Sequence, residues 1–504
     1  MNRRTPFLAL LSGALLVLAF PKADQDYLVW AALVPLFFAV KNARPGEAFR
    51  LGFITGLAFN VGLIYWIVHV ANYYGNLSLP FSTAVMALFA LYLALYTAVF
   101  SFLATLANRK GVPLIVVAPP LWTALEYLKS HLFTGFPWEN LGYALHARIS
   151  LIQIADITGV FGISFFVVLI NAALFEILGS GTLRRKIFVA VLATVAVTVV
   201  LSYGFYRTGT VEKELAQAGT RTVSLGLIQG NIDQAVKWDE TYRDRTIRVY
   251  EEFSREASRR GARVVLWPET AAPLFFQDVD DNHRKIISLA RESRSFLLFG
   301  SPSYTVVDGK QSLLNSAWLL SPDGAILGRY DKTHLVPFGE YVPMRRLLFF
   351  VDKLVEGFSD FVPGDSIDPL DLNGMAVGVL ICYEGIFPGI SRIYVRKGAD
   401  YLVNITNDAW YGRTSAPYQH LSMLTLRAVE NRRSIARAAN TGISALVDPL
   451  GRVTLRTELF EPALLTGTLQ ALSLRTFYTN HGDLFALGCF FMTGILLLYG
   501  RRRP

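Results

Sequence analysis

"GVLICYEGIFPG", residues 378–389, decides how the rest of this chain is read. Val379, Leu380 and Ile381 form an apolar run that ends at Cys382, followed by Tyr383, Glu384 and a glycine. A short apolar run closed by turn residues has the pattern of a buried strand. The end of such a strand is where α/β folds place reactive groups. Cys382 is one of only two cysteines in 504 residues. A lone cysteine is ordinarily a small buried hydrophobe, and Cys489, inside the last apolar run, fits that description. If the region around Cys382 lies outside the cytoplasm, a free thiol there is exposed to oxidation. Its retention therefore favours a chemical use.

Working outward, two further groups follow apolar runs: Glu269 in "VVLWPET" and Lys332 in "GRYDKTHLVPFGEYVP". A thiol needs a base before it becomes a nucleophile. Attack on a carbonyl creates an oxyanion that needs a cation or N–H donors. Cys, Glu and Lys supply nucleophile, base and oxyanion support. Taken singly, a Glu after a strand is ordinarily a cap and a Lys is ordinarily solvated.

These residues lie in one half of a two-part chain. Hydrophobic residues make up 52% and charged residues 17%, a balance that points to a membrane. Apolar runs fall at about 7–20, 27–41, 50–72, 80–107, 112–129, 160–179, 186–205 and 484–500. About eight transmembrane helices are expected, the first two and the last being short. No small-residue cleavage site follows "LVLAFPKADQ", so the first run is not read as a signal peptide. The net charge of +9 raises a nucleic-acid reading. Residues 207–475 hold 32 basic and 31 acidic side chains, whereas the rest holds 16 and 8. The excess therefore lies among the hydrophobic segments and reads as membrane anchoring, with no nucleic-acid partner. With the N-terminus inside, 13 basic residues of the short loops and termini fall on the cytoplasmic side. Only Lys22, Lys129 and Arg148 fall opposite.

The expected division is a transmembrane region over 1–210, a catalytic domain over 220–470 and a C-terminal transmembrane helix over 484–500. Within the middle region, "TVSLGLIQG", "ARVVLWPET", "SFLLFGSPS", "AWLLSPDG", "AVGVLICYE" and "DYLVNITND" read as strands. "ETYRDRTIRVYEEFSREASRR" and "APYQHLSMLTLRAVENRRSIARAA" read as helical patterns. Glu126, Asp156 and Glu176 lie near segment ends and read as interfacial carboxylates, not as the ion-coupling groups of a transporter. The histidines are scattered, and neither a cofactor nor a metal is expected.

"WPET", "DKTHLVPFGEYVP", "ICYEGIFP", "NITNDAWYG" and "RAVENRRSIARAANTGIS" together resemble the nitrilase superfamily. With the hydrophobic segments and "TGFPWENLGY" at 134–143, the chain is similar to the membrane-embedded branch of that superfamily, the apolipoprotein N-acyltransferases. The resemblance implies an α-β-β-α sandwich on a helical membrane domain and a Glu269–Lys332–Cys382 triad. It implies supporting roles for Tyr383, through its backbone N–H, and for Glu340 and Glu384. Trp238, Trp410 and Asn407 match residues near the substrate. The implied reaction moves an acyl chain from a phospholipid, through a Cys thioester, to the N-terminal amine of a diacylglyceryl-cysteine apolipoprotein. A monomer in a bacterial inner membrane is implied, with both termini cytoplasmic and the catalytic domain periplasmic. The alternatives are a membrane-tethered nitrilase-type amidase and, in another class, a transporter with a large external domain.

One segment reads two ways. In residues 345–364 the side chains Leu347, Leu348, Phe350, Val351, Leu354, Val355 and Phe358 recur at helical spacing. The helix either packs on its own sandwich or dips into the outer leaflet as a lid, with Leu348, Phe350, Leu354 and Phe358 inserted and Gly357 and Gly364 as hinges.

Overall fold

The computed structural model describes residues 4–217, 221–234, 237–307, 309–343 and 361–499. The lid positions Leu348, Phe350, Leu354 and Phe358, with Gly357, lie outside the described residues.

The N-terminal part is helical. Among the described residues, four helices are long and apolar enough to cross a membrane: Pro45–Ile64, Leu79–Arg109, Val160–Leu178 and Leu183–Leu215. The runs at 7–20 and 484–500 form the shorter helices Arg4–Ala19 and Leu484–Tyr499. The run at 27–41 is not one helix: it divides into a 3-10 turn, Asp26–Trp30, and a short helix, Val34–Val40, which Pro35 opens. Pro fits the first turn because its missing N–H has no helical partner there. Helix Leu114–His131 carries Pro119 and Pro120 in its interior. Helix Leu183–Leu215 has only 11% of its most apolar stretch buried inside the protein. Its Leu183, Ile187, Phe188, Val191, Val195 and Val199 face outward, as suits lipid rather than water.

The second part is a two-sheet sandwich. One six-stranded sheet runs, in spatial order, 463–470, 222–229, 264–266, 296–300, 316–320, 326–331. The other runs 453–456, 445–447, 435–439, 401–406, 376–381, 370–371. Alternation along the strands builds the layers. Leu225, Leu227, Leu266, Leu298 and Leu319 join Val379, Val403 and Ala436 in the core between the sheets. Ile228, Val265, Leu297 and Leu320 point the other way, onto the helices Glu240–Arg259 and Asp281–Ser293. The six stretches read as strands all contain one. The hairpin 303–307/310–314 and the strands 326–331, 435–439, 445–447, 453–456 and 463–470 were not foreseen.

One helical reading is corrected. "APYQHLSMLTLRAVENRRSIARAA" is a helix only over Ala416–Asn431. Arg432 then takes a left-handed φ of 51°, and Ile435–Ala439 is a buried strand parallel to 401–406. The helix ends where the next five residues have hydrogen-bond partners in the sheet, a tertiary gain that overrides alanine's helical preference.

Nearly all of helix Ala416–Asn431 is buried, because it lies between the sandwich and the membrane helices. Gln419 Nε2 donates to the carbonyls of Pro21 and Leu63, at 3.1 and 3.2 Å. Trp138 Nε1 donates to Gln419 Oε1 at 2.9 Å, and Ser422 Oγ donates to Glu139 at 2.8 Å. Two carboxylates read as interfacial are inside the protein. Asp156 is 2% exposed and accepts from Arg432, Arg207 and Tyr203. Glu126 is 7% exposed and accepts from Trp122 Nε1 and the Leu141 N–H. Their positions near segment ends hid that the sandwich and the 134–143 loop cover those ends. Glu176 pairs with Arg185 at 2.8 Å.

Candidate active site

Three turns, each following a strand, bring Glu269, Lys332 and Cys382 together. All three side chains are buried, at 6%, 1% and 5% exposure. Lys332 Nζ lies 3.7 Å from Glu269 Oε1 and 2.9 Å from each Glu340 oxygen. Cys382 closes strand 376–381 and opens a 3-10 turn, Cys382–Ile386, with a left-handed φ of 52°. That conformation is costly for a side-chain-bearing residue and is retained where the surroundings over-determine it. Here Asn404 Nδ2 donates to the carbonyls of Leu380 and Cys382, at 3.0 and 3.2 Å. His420 Nε2 lies 3.2 Å from the Cys382 carbonyl as well. The Tyr383 N–H is the next backbone donor after the thiol, at the start of the turn.

Charge sets the resting state. Burial pushes the Cys382 thiol up, Glu269 adds to this, and Lys332 works against it. The thiol is therefore protonated at neutral pH and needs a base at the moment of attack. Burial alone would lower the Lys332 ammonium, but Glu340 and Glu269 overcome that and hold it above the ordinary lysine value. Burial and the Lys332 charge push His334 down to about 4, so its imidazole is neutral.

The two additional acids differ in use. Glu340 fixes Lys332, accepting also from the Val336 N–H at 2.7 Å and from Asn315 Nδ2 at 2.9 Å. Glu384 is fully buried and saturated. One oxygen accepts from Tyr330 Oη, the Thr333 N–H and hydroxyl, and the His334 N–H, at 2.7 to 3.1 Å. The other accepts from the Ile381 N–H at 2.8 Å. Glu384 thus ties the turn bearing Cys382 to the segment bearing Lys332.

Asn407 holds Glu269 in place. Its N–H donates to Glu269 Oε2 at 3.0 Å, while its side chain bonds Gln234 and Asn440. Trp410 packs edge-on against Tyr74, 4.8 Å between ring centres, and Tyr74 Oη donates to the Ala409 carbonyl. It therefore sits where the sandwich meets the membrane helices. Trp238 is half-buried in the segment facing the Glu269 turn. Gly364, expected as a hinge, is packed: its N–H donates to the Lys332 carbonyl at 2.8 Å, and a Cβ there would lie 2.3 Å from the Asp331 carbonyl oxygen.

Residues 12–173 match the family model of the apolipoprotein N-acyltransferase N-terminal domain, and residues 224–478 match that of carbon-nitrogen hydrolases. The apolipoprotein N-acyltransferase of Geobacter metallireducens is 46% identical over 97% of this chain and 93% of its own length. That of Haemophilus influenzae is 32% identical over 98% and 94%. The chain belongs to the apolipoprotein N-acyltransferase family. Among solved structures, an amidase from Nesterenkonia sp. covers 54% of this chain and 97% of its own at 21% identity, with a TM-score of 0.39.

Several residues of this family member's site were not found from sequence. Asn315 Nδ2 donates to both Glu269 Oε1 and Glu340 Oε1, at 2.8 and 2.9 Å, and so joins the two carboxylates. Behind Cys382, the Asp408 carboxylate bonds Arg437 at 2.6 Å and His420 at 3.0 Å, all three fully buried. Burial would raise the Asp408 carboxyl, but Arg437 and His420 outweigh it and hold it well below its usual range. Asp408 and Arg437 lie inside motifs quoted above, so only their roles were missed. Asn315 had no signal beyond being a lone polar residue between two strands. Among the described residues, no group of three or more His, Cys, Asp or Glu side chains is placed to hold a metal ion.

Proposed function

We propose that this protein transfers an acyl chain from a membrane phospholipid to the N-terminal amine of a diacylglyceryl-cysteine apolipoprotein, through a thioester on Cys382. The observation that carries this reading is the convergence of Glu269, Lys332 and Cys382 in a chain that matches the family over nearly its whole length. Glu269 takes the thiol proton as Cys382 Sγ attacks the ester carbonyl. The oxyanion is stabilised by the Lys332 ammonium and the Tyr383 N–H. The intermediate collapses with cleavage of the ester C–O bond. The proton on Glu269 passes to the departing alkoxide, so a lysophospholipid leaves and the thioester remains. The acceptor amine, in its neutral form, then attacks the thioester carbon. Glu269 accepts the amine's proton and returns it to the Cys382 sulfur as the C–S bond breaks. Burial of the triad keeps water from competing.

We read residues 1–210 and 484–500 as membrane-embedded and 220–470 as the catalytic domain on the periplasmic side of a bacterial inner membrane, in a monomer with both termini cytoplasmic. The 13-to-3 distribution of loop charges supports this. In a background lacking both native cysteines, Lys310→Cys is expected to react with a membrane-impermeant reagent from outside, and Leu183→Cys is not.

Intact mass spectrometry after exposure to phospholipid vesicles tests the chemistry. One acyl mass on the wild type, removed by neutral hydroxylamine and missing from Cys382→Ala, is the expected result. Steady release of fatty acid without an acceptor would instead favour an amidase-like hydrolase.

A further inference from the structure

We propose that Lys237 is a positioning residue for Glu269: a second buried cation that clamps the turn carrying it. The proposal rests on the triad reading above.

Lys237 is 1% exposed. Its Nζ donates to the Glu269 carbonyl at 3.2 Å and to Thr270 Oγ1 at 2.6 Å. Thr270 has a φ of 49°, a left-handed backbone that a β-branched side chain rarely adopts. The far side of the same turn is pressed against Gly300. A Cβ there would lie 2.3 Å from Thr270 N and 2.6 Å from the Pro268 carbonyl. The Gly300 N–H donates to that carbonyl at 3.1 Å. A strained turn persists only when held from outside, and the holders are strand 296–300 on one side and the Lys237 ammonium on the other.

A neutral donor would satisfy a carbonyl and a hydroxyl more cheaply than a buried ammonium does. The charge therefore has a further consequence. Burial pushes Lys237 down to about 8, and the Glu269 charge opposes this. The ammonium and the Glu269 carboxylate thus attract one another across the turn, which a neutral donor would not do. Lys332 meets Glu269 at its carboxylate, whereas Lys237 meets it at its backbone. The charged and titratable groups facing Glu269 are Lys332, Lys237, Cys382 and Tyr411, with Glu340 joined through Asn315.

The test is the rate of Cys382 acylation against pH, read by quenched intact mass spectrometry. It uses the full-length protein and vesicles of mixed phosphatidylethanolamine and phosphatidylglycerol. Variants are Lys237→Met, Lys237→Gln and Thr270→Val. Both Lys237 variants remove a positive charge beside the site and are therefore expected to move the acid limb of the profile upward. Their plateau rate should fall about tenfold. Thr270→Val keeps the charge, so it should lower the plateau and leave the limb in place. Unchanged limbs in whichever Lys237 variant folds overturn the proposal. An upward shift equally large in Thr270→Val overturns it as well, because the effect would then come from the turn and not from the charge. Failure of the wild type to form the adduct at any pH overturns the triad reading instead.

Discussion

Cys382 and Cys489 are both buried, at 5% and 6% exposure, and have little else in common. Cys489 lies within the regular helix Leu484–Tyr499, where its carbonyl accepts from Thr493 and its sulfur faces the Thr123 hydroxyl. Cys382 stands at a strand end in left-handed backbone, with a carboxylate and an ammonium from two other strand ends acting on its sulfur. Burial by itself holds a thiol protonated and inert. The difference between the two regions is that one brings a carboxylate and an ammonium to the buried sulfur.

The comparison breaks most sharply if the cysteines are exchanged for alanine. Cys382→Ala is expected to abolish acyl-enzyme and turnover. Cys489→Ala should keep both and change stability by less than about 1.5 kcal/mol. Acyl transfer from vesicles and thermal melting in detergent check the pair.

Glu269→Gln should slow thioester formation by about 10²- to 10⁴-fold. It should also move Cys382 alkylation by iodoacetamide to lower pH, because the negative neighbour that helps hold the thiol up is gone. An alkylation profile that stays where it is would show that Glu269 does not help hold the thiol up. Lys332→Met has the opposite sign for alkylation, an onset at higher pH, with a loss of roughly 10²- to 10³-fold in acylation.

Glu384→Gln sharpens the contrast between a base and a tie. The carboxylate accepts five hydrogen bonds and faces no proton to be transferred. The variant is expected to lose roughly 2–4 kcal/mol of stability, read by melting. Its alkylation profile should stay closer to wild type than that of Glu269→Gln. The smallest effect is expected at His334, which is already neutral above about pH 5. His334→Gln should leave the limbs of the pH–rate profile where they are.

The parts whose signals are local were legible along the chain. Apolar runs separated by basic loops marked the apolar helices, apart from the run at 27–41, which divides in two, since the bilayer demands long unbroken apolarity. Glu269, Lys332 and Cys382 were legible because each follows an apolar run within a few residues, and a strand end is a feature of adjacent sequence. The resemblance of five motifs then joined them. Tertiary structure alone decided the rest. Asn315 joins two carboxylates that lie 46 and 25 residues away in the chain, and Lys237 meets Glu269 across 32 residues. Arg432 reaches Asp156 across 276 residues, turning an apparent interfacial carboxylate into part of the buried seam between the helical part and the sandwich. None of these side chains belongs to a periodic pattern. Each is fixed by a hydrogen-bond partner whose absence would leave a buried polar group unsatisfied, and that partner is known only once distant strands and helices have met.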